Sequence, residues 1–289
     1  VNTGKIRNYG LEFSAGYRWN INHDWRWQTG FNFAWNDNRI LETYKTESGA
    51  PYIVEMGTNA FKIKYIEGGR YGDIYVNSFA RDENGHIKIN GAGDYENAVP
   101  VMESGKYETY VGNTTSPVTL GWNNTFSWKN FNLYFLIDGR IGGKVMSLTE
   151  PDLDLFGLSE RSAHDRLKGE RVTQNGKEYV LKELPDGSGN KVPVENYYTT
   201  IGAYPMEDHV YNATNLRMRD ISLSYNFSNL LGKNTGLTAQ FSIKNAFFIY
   251  KDSPIDPDIS VSAANGYSGI DCYSLPTTRS YALTLKFNF

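Results

Sequence analysis

The last nine residues of the chain, 281–289, constrain its fold more than any other stretch. Large apolar residues alternate there with small or polar ones, the apolar set being Tyr281, Leu283, Leu285, Phe287 and Phe289. Because successive β side chains point to opposite faces, this pattern predicts a strand with one apolar and one polar face. A strand of this kind is typical of a β-sheet that contacts lipid on one face and water on the other.

The same alternation recurs in six further segments. Pairs of these segments are separated by short connections, which predicts three hairpins: 11–20 with 25–35, 118–128 with 131–138, and 221–227 with 237–243. Two architectures fit seven such strands. One is a soluble antiparallel sandwich or lipocalin-like barrel with its apolar face inward, and the other is a transmembrane barrel with its apolar face outward.

The positions of aromatic and polar residues favour the transmembrane barrel. Trp19, Trp25 and Trp128 lie at strand ends beside short turns, where an aromatic girdle belongs. The central spans of the apolar faces carry no charge, and Asn124 is the main polar exception. A sheet face of this composition is suited to contact with lipid.

The connections between strands are also very unequal in length, as in transmembrane barrels with short periplasmic turns and long outer loops. Short turns are expected at 20–24, 129–130 and 228–236, and long connections at 41–117, 146–215 and 248–279. Segment 41–117 starts and ends on the same side, so it contains an even number of crossings. None and two both satisfy this condition, and 63–79 with 87–90 is the candidate pair.

One break in phase falls before the strand that contains Ile221. Arg217 and Arg219 have the same parity as Ile221 and Leu223, although arginines facing mid-membrane cost several kcal/mol. Either a β-bulge intervenes or the strand has already left the hydrocarbon layer. The sequence favours the second explanation.

Composition sets further limits. The chain has 289 residues, a net charge of −3 and one cysteine, Cys272, so no internal disulfide is expected. It contains no apolar run of the roughly 18 residues that a membrane-spanning helix requires. With a pI near 5.9 and no basic run, nucleic acid is not an expected partner. The chain begins at Val1, which suggests that a longer protein extends upstream.

The sequence contains no recognisable catalytic or metal-binding motif. His23, His86, His164 and His209 are isolated, and no nucleophile-elbow motif is present, so the chain is not expected to be an enzyme. No cofactor or metal is expected. Calcium is the alternative, because calcium binds clustered carboxylate oxygens, although no DxDxDG loop is present. The candidate carboxylates are Asp152, Asp154, Asp256, Asp258 and Asp271.

The long connection 146–215 is the main functional candidate. Ser159 is suited to cap a short helix, and Asn175-Gly176 predicts a tight hairpin turn. Aromatic side chains on an outer loop suit stacking on sugar rings or packing on a partner protein. The alternative for each is packing within the loop itself. The candidate contact residues are Tyr179, Tyr197, Tyr198, Tyr204 and Tyr211.

Several motifs resemble those of SusC/RagA-type TonB-dependent outer-membrane transporters. They occur in the order in which that family has them, from residue 4 to the end of the chain. The matching stretches are GKIRNYGLE at 4–12, YVGNTTSP at 110–117, LGWNNTFSWKNF at 120–131, TNLRMRDISLSY at 214–225, SIKNAF at 242–247, DPD at 256–258 and LPTTRSY at 275–281.

The resemblance implies an all-β fold: residues 1–289 would be the C-terminal part of a 22-strand antiparallel transmembrane barrel, without its plug and N-terminal strands. It implies uptake of an oligosaccharide or peptide with a SusD-like surface lipoprotein, powered by TonB through the absent plug, in the outer membrane of a Bacteroidetes-like Gram-negative cell. Phe289 would be the C-terminal assembly signal. The alternatives are a siderophore or vitamin receptor without a lid, and a non-energised porin or adhesin.

Overall fold

A computed structural model describes residues 4–103, 105–202, 205–228, 235–261 and 267–288. In chain order the strands are β1 (Lys5–Asn20), β2 (Trp25–Glu42), β3 (Val54–Gly57), β4 (Phe61–Tyr65), β5 (Asp73–Val76), β6 (Ile89–Asn90), β7 (Val99–Pro100), β8 (Thr109–Asn113), β9 (Val118–Trp128), β10 (Phe131–Ile141), β11 (Lys144–Ser147), β12 (Glu170–Gln174), β13 (Lys177–Glu183), β14 (Lys191–Pro193), β15 (Val210–Asn212), β16 (Asn215–Ser228), β17 (Gly236–Lys251), β18 (Ile270–Asp271) and β19 (Ser280–Asn288). The helices are α1 (Thr149–Leu155), α2 (Glu160–Lys168), α3 (Val194–Ile201) and a 3-10 helix (Met206–His209).

Seven long strands form one antiparallel sheet, which we call the wall. Its strand order is β1-β2-β9-β10-β16-β17-β19, and within the described residues β1 and β19 are its two open edges. The register aligns the apolar positions of neighbouring strands, since Phe13 pairs with Phe33 and Phe33 pairs with Leu120 on its other side. The seven predicted strands, their three hairpins and the antiparallel all-β fold are therefore confirmed.

An aromatic belt crosses the wall at the end that carries the short turns. The rings of Trp25 and Trp128 stack with centroids 5.6 Å apart, and Trp128 stacks on Phe131 at 5.9 Å. Phe131 then meets Tyr225 edge to face at 4.5 Å. This arrangement confirms that aromatic side chains gather beside the short turns, as in the girdle of a membrane barrel.

Asn124, the polar exception on the apolar face, is fully buried. Its side-chain oxygen accepts a hydrogen bond of 3.0 Å from the indole nitrogen of Trp27. On the same face, the indole of Trp122 donates to Thr29 Oγ1 at 2.9 Å. The indole N–H groups thus satisfy polar atoms that would be costly to leave unpaired in an apolar setting.

Segment 41–117 adds no strand to the wall, because β2 pairs directly with β9 along 25–35. Its own strands form a separate four-stranded sheet, β3-β4-β5-β8, and the short pair β6-β7. Of the two alternatives for this segment, no crossing is therefore the correct one. The candidate crossing pair, 63–79 with 87–90, was wrong, because those residues pair within the loop.

The break in phase before Ile221 is a β-bulge, so the preference for an early strand exit was wrong. On β10, Leu136 pairs with Asp220 and the next residue, Ile137, pairs with Met218, which leaves Arg219 as the extra residue of β16. An extra residue restarts the alternation of faces. Arg217 consequently lies opposite Asp138 on the polar face of the wall.

The three long connections fold together into what we call the loop layer. One buried cluster contains Ile74, Met146 and Ile270, one residue from each connection. A second cluster joins Ile87 to Val192 and other residues of 184–201. Strand β11 pairs with β15 on one side and β18 on the other. The protein core thus lies in the loop layer, while the apolar face of the wall stays largely exposed.

In the part of the chain that the structure describes, no helix is both long and apolar enough to cross a membrane. Phe289 lies outside the described residues, so its role as an assembly signal stays a prediction.

Candidate functional site: a tyrosine-lined pocket in the loop layer

A cavity of about 490 Å³ lies among α1, α2, α3, β13 and β15, and we call it the loop pocket. Three of the five candidate tyrosines line it: Tyr197, Tyr198 and Tyr211. Pro254, from the third long connection, also lines the pocket. The pocket therefore combines residues from two connections that are about 40 to 100 positions apart in the sequence.

Local capping sets the position of α2 beside the pocket. Ser159 Oγ accepts a hydrogen bond of 3.1 Å from the backbone nitrogen of Ser162, which satisfies a free N–H group at the start of the helix. The same hydroxyl donates to Asp154 at 2.6 Å. The predicted cap is confirmed, and it also fixes the first turn of α2 against α1.

An ion pair joins Arg161, which lines the pocket, to the buried Asp154. Asp154, only 1% exposed, accepts hydrogen bonds from Arg161 Nε at 3.1 and 3.0 Å, and His209 Nε2 lies 2.9 Å from the same carboxylate. Burial by itself raises the pKa of Asp154, but hydrogen bonds from His209, Arg161 and Ser159 outweigh it and lower the pKa to about 2. Asp154 is therefore charged at neutral pH and neutralises Arg161.

Each pocket tyrosine donates its hydroxyl to a carboxylate. Tyr197 donates to Asp208 at 2.5 Å and Tyr198 to Asp165 at 2.6 Å, while Tyr211 donates to Glu150. Burial, together with the adjacent carboxylate, raises the pKa of all three phenols above the ordinary value. These hydroxyls therefore remain protonated donors, and their hydrogen bonds to protein are already made.

Lys182 places a cation beside the rings of Tyr197 and Tyr198 in the pocket lining. Its Nζ lies 2.5 Å from Asp165, 4.9 Å from the Tyr197 ring centroid and 5.5 Å from that of Tyr198. An ammonium held by a carboxylate and two aromatic faces is a favourable arrangement. Most charged groups of the lining are thus paired within the protein, and the exposed residues of the lining are Glu160 and His164 of α2 and Pro254.

The structure places the five candidate tyrosines in different environments. Tyr197 and Tyr198 are 2% and 3% exposed, with rings that meet edge to face at 5.3 Å, which corresponds to packing within the loop. Tyr211 is half-buried, and Tyr179 lies outside the pocket with its ring 6.0 Å from that of Tyr95. Tyr204 lies outside the described residues. Contact of these residues with substrate or partner stays a prediction.

Sequence reasoning did not identify the group formed by Asp154, Arg161 and His209. Asp154 was considered only as a calcium ligand, and His209 was set aside as isolated. Asp154 and His209 are 55 positions apart, so no local spacing could have brought them together. The resemblance of the chain to a family did not point to them either.

The described residues contain no group of three His, Cys, Asp or Glu side chains that could hold a metal ion. Three of the five carboxylates considered for calcium are engaged by arginines, while Asp271 accepts a hydrogen bond from Ser147 and Asp152 accepts one from Tyr273. Asp154 pairs with Arg161, and both Asp256 and Asp258 pair with Arg217.

The exposed apolar face, the aromatic belt at the short turns and the loop layer at the other end are the features of a segment of a transmembrane β-barrel wall with its long loops. Comparison with known proteins supports this class. The chain is 24% identical to the TonB-dependent receptor SusC of Bacteroides thetaiotaomicron and 23% identical to the TonB-dependent receptor P3 of Formosa agariphila. Both alignments cover 100% of this chain but only 27% and 29% of those proteins.

Comparison with solved structures shows that the fold is similar to that of known transporters of this class. A structure of the RagAB peptide transporter matches 98% of this chain and 29% of its own, with a TM-score of 0.66 at 18% identity. The RagAB peptide importer in the open-open state matches 99% of this chain with a TM-score of 0.62. No family model matches the chain. The resemblance to SusC/RagA-type TonB-dependent receptors is confirmed, and an outer-membrane location is supported.

Proposed function

We propose that residues 1–289 form the C-terminal part of the barrel wall and outer loops of a TonB-dependent transporter that imports an oligosaccharide or a peptide. The observation that carries this proposal is similarity along the whole chain, both to SusC in sequence and to RagAB in fold. The chain spans less than a third of these relatives, so the transport activity belongs to a longer protein.

The partners follow from the same proposal. A SusD-like surface lipoprotein would cover the outer end, TonB would act through the plug, and outer-membrane lipid would contact the apolar face of the wall. One of the solved structures with a similar fold is that of the RagAB peptide transporter. The host would be a Gram-negative cell of the Bacteroidetes type. Within this assembly the chain would act by binding and guiding substrate, without catalysis and without a cofactor.

The loop pocket is the part of this chain that we propose to contact the substrate or the lid. It is a cavity with aromatic rings and fixed charges, and two of its exposed side chains, Glu160 and His164, retain capacity for new contacts. Sugar hydroxyls and peptide amides both hydrogen-bond well to carboxylate and imidazole groups. The buried carboxylate of Asp154 and the imidazole of His209 would hold Arg161 and helix α2 in place rather than touch the ligand.

Binding and uptake by the protein at its full native length test this proposal. Glu160→Ala and His164→Ala, combined, should weaken binding of the cognate glycan or peptide about tenfold in isothermal titration, because two hydrogen-bonding groups are lost. Growth on that nutrient should fall in parallel. Lys168→Ala is the matched control, because Lys168 is an exposed residue on the same helix outside the pocket lining.

Three results would contradict the proposal. Binding and growth that match the control would remove the loop pocket from the transport function. Uptake of a siderophore or vitamin without any lipoprotein would identify the lidless type of receptor. Substrate flux that persists after TonB is deleted would identify a non-energised porin.

A further inference from the structure

Residues 252–258 form a short segment, which we call the strap, between the loop pocket and the wall. Pro254 of the strap lines two cavities at once. One is the loop pocket, and the other is a cavity of about 460 Å³ that is also lined by Arg217 and Asp256. The position of this one proline therefore sets the boundary between the pocket and the region beside the wall.

Two arginines of β16, Arg217 and Arg219, hold the strap by its carboxylates, and Arg140 of β10 adds a weaker contact, with its Nη2 3.4 Å from Asp258. Arg217 Nη2 lies 2.7 Å from Asp256, and Arg217 Nη1 lies 3.3 Å from Asp258. Arg219 Nη2 lies 2.7 Å from Asp258, while its Nε lies 2.6 Å from Asp138 of the wall. Arg217 is 1% exposed, so its pairs are shielded from water and from salt.

The β-bulge at Arg219 is what makes this arrangement possible. Without it, Arg217 and Arg219 would share the outward, apolar face of Ile221. With it, Arg217 lies opposite Asp138, and the Arg219 side chain reaches Asp138 as well. One extra residue in β16 thus turns two cations toward the carboxylates of the strap.

Few other polar contacts tie the strap down. In the described residues, one main-chain hydrogen bond, from Asp252 N to Thr214 O at 3.3 Å, connects it to another segment of the loop layer. Thr277 donates to Asp256 from its backbone nitrogen at 3.3 Å and also from its hydroxyl, and Lys251 Nζ donates to Pro254 O at 3.0 Å. Ile255 contributes apolar packing to a small cluster with Val145 and Ile259. The arginine–carboxylate pairs are the strongest of these links.

We propose that Arg217 and Arg219 are positioning residues for the loop pocket. Through Asp256 and Asp258 they hold the strap so that Pro254 closes the side of the pocket nearest the wall. Loss of the pairs frees the strap and joins the two cavities. This inference deepens the proposed function, on which it rests only for the role of the pocket in transport.

Hydrogen exchange of the protein at its full native length tests the proposal. Asp256→Asn combined with Asp258→Asn keeps the shape of both side chains and removes both charges. Removing one partner strands a buried cation, so exchange in 252–258 and in 197–211 should become at least about tenfold faster, with the wall strands unchanged. Asp252→Asn is the control in the same strap, since Asp252 accepts from the Tyr250 hydroxyl and not from the arginines.

Asp258→Glu separates charge from packing. It retains the negative charge, so its exchange should stay near that of the unaltered protein. If the glutamate variant loosens the strap as much as Asp258→Asn does, shape rather than charge holds it, and the proposal fails. Exchange in the double asparagine variant equal to that of the Asp252→Asn control also overturns it. Should the double variant not fold, Asp258→Asn alone gives the same decision.

This measurement needs neither substrate nor lid, so its result is independent of the proposed transport. Faster exchange in the strap together with no nutrient binding would uphold the ionic positioning and refute the proposed function. Unchanged exchange together with normal uptake would refute the ionic positioning and uphold the proposed function.

Discussion

At the scale of single residues, buried charges are compensated on both sides of the strap. Arg161 in the lining of the loop pocket is paired with Asp154, and Arg217 is paired with Asp256 beside the wall. A buried ion pair is not strong evidence of net stabilisation, but breaking it by removing one partner costs about 3–5 kcal/mol. These residues are therefore the positions where single substitutions should have the largest effects.

Acid should weaken the loop layer through Asp154. Its pKa is lowered from 3.8 to about 2 in the folded protein, so its contribution is complete above about pH 4 and is lost as the pH falls through about 2. The loss amounts to about 2 kcal/mol. Near-UV circular dichroism of the tyrosines during thermal unfolding at several pH values would measure it.

Asp154→Asn should remove this component of the pH dependence and lower stability at pH 7. Asp24→Asn, at an exposed hairpin turn, is the control. If the asparagine variant keeps the full loss of stability between pH 4 and pH 2, other carboxylates are responsible.

Leu283 and Thr284 test which face of the wall meets lipid. Leu283 pairs with Phe241 on the apolar face, whereas Thr284 pairs with Gln240 on the polar face. Leu283→Arg should therefore cost roughly 2–4 kcal/mol near the bilayer midplane, and Thr284→Arg much less. Refolding of the full-length protein into lipid vesicles measures both. Equal costs would mean that the faces are assigned incorrectly.

At the scale of elements, the bulge in β16 is the decisive irregularity. A strand that alternates strictly cannot keep Ile221 outward and Arg217 inward, because the two positions have the same parity. The extra residue resolves this conflict, and the pairing of β16 with β10 then continues regularly to Asn215, which pairs with Arg140. Strand β16 therefore has a lipid-facing part after the bulge, which contains Ile221 and Leu223, and an ion-pairing part at and before it, which contains Arg217 and Arg219.

Residue deletions distinguish the bulge from the regular part of the strand. Removing Arg219 should leave all faces correct, because the rest of β16 then alternates regularly, and its cost should be close to that of Arg219→Ala. Removing Ser222 from the regular part should turn Arg217 and Asp220 outward and cost roughly 2–4 kcal/mol or more. Folding yields in lipid vesicles give the comparison. Equal yields for the two deletions would contradict the role of the bulge.

At the scale of the whole molecule, the core and the wall are separate. The wall turns its apolar face outward, so it cannot supply a conventional interior, and the clusters of buried apolar residues lie in the loop layer. Three connections far apart in sequence share these clusters. The loop layer should therefore respond as one unit to a substitution in any of its parts.

Ile74→Ala tests this unity. Ile74 is fully buried beside Met146 and Ile270, so its truncation should cost about 2–5 kcal/mol and speed hydrogen exchange in all three connections. Exchange in β9 and β10 should not change. Val54→Ala, at a residue 42% exposed in the same connection, is the control. Faster exchange confined to 61–76 would show that the connections are independent.

The sequence by itself determined the local features of this protein. Alternation with period two fixed the seven strands and their faces, and short turns fixed which strands form hairpins. Asn175-Gly176 joins β12 to β13 with φ values of 55° and 78°, as a tight turn of this composition requires. Each of these features depends on residues within a few positions of one another. The order of the motifs along the chain also indicated the family that the comparisons then supported.

Only the tertiary structure decided how the long connections are used. It placed segment 41–117 outside the wall, buried Tyr197 and Tyr198 within the loop layer, and brought Arg161 and Arg217 to their carboxylates. Such contacts join residues tens of positions apart, and they depend on how three connections pack against one another. The alternation of apolar and polar residues along the sequence does not predict that packing. The bulge at Arg219 belongs with them, because the side chains that it positions find their partners only in the folded strap.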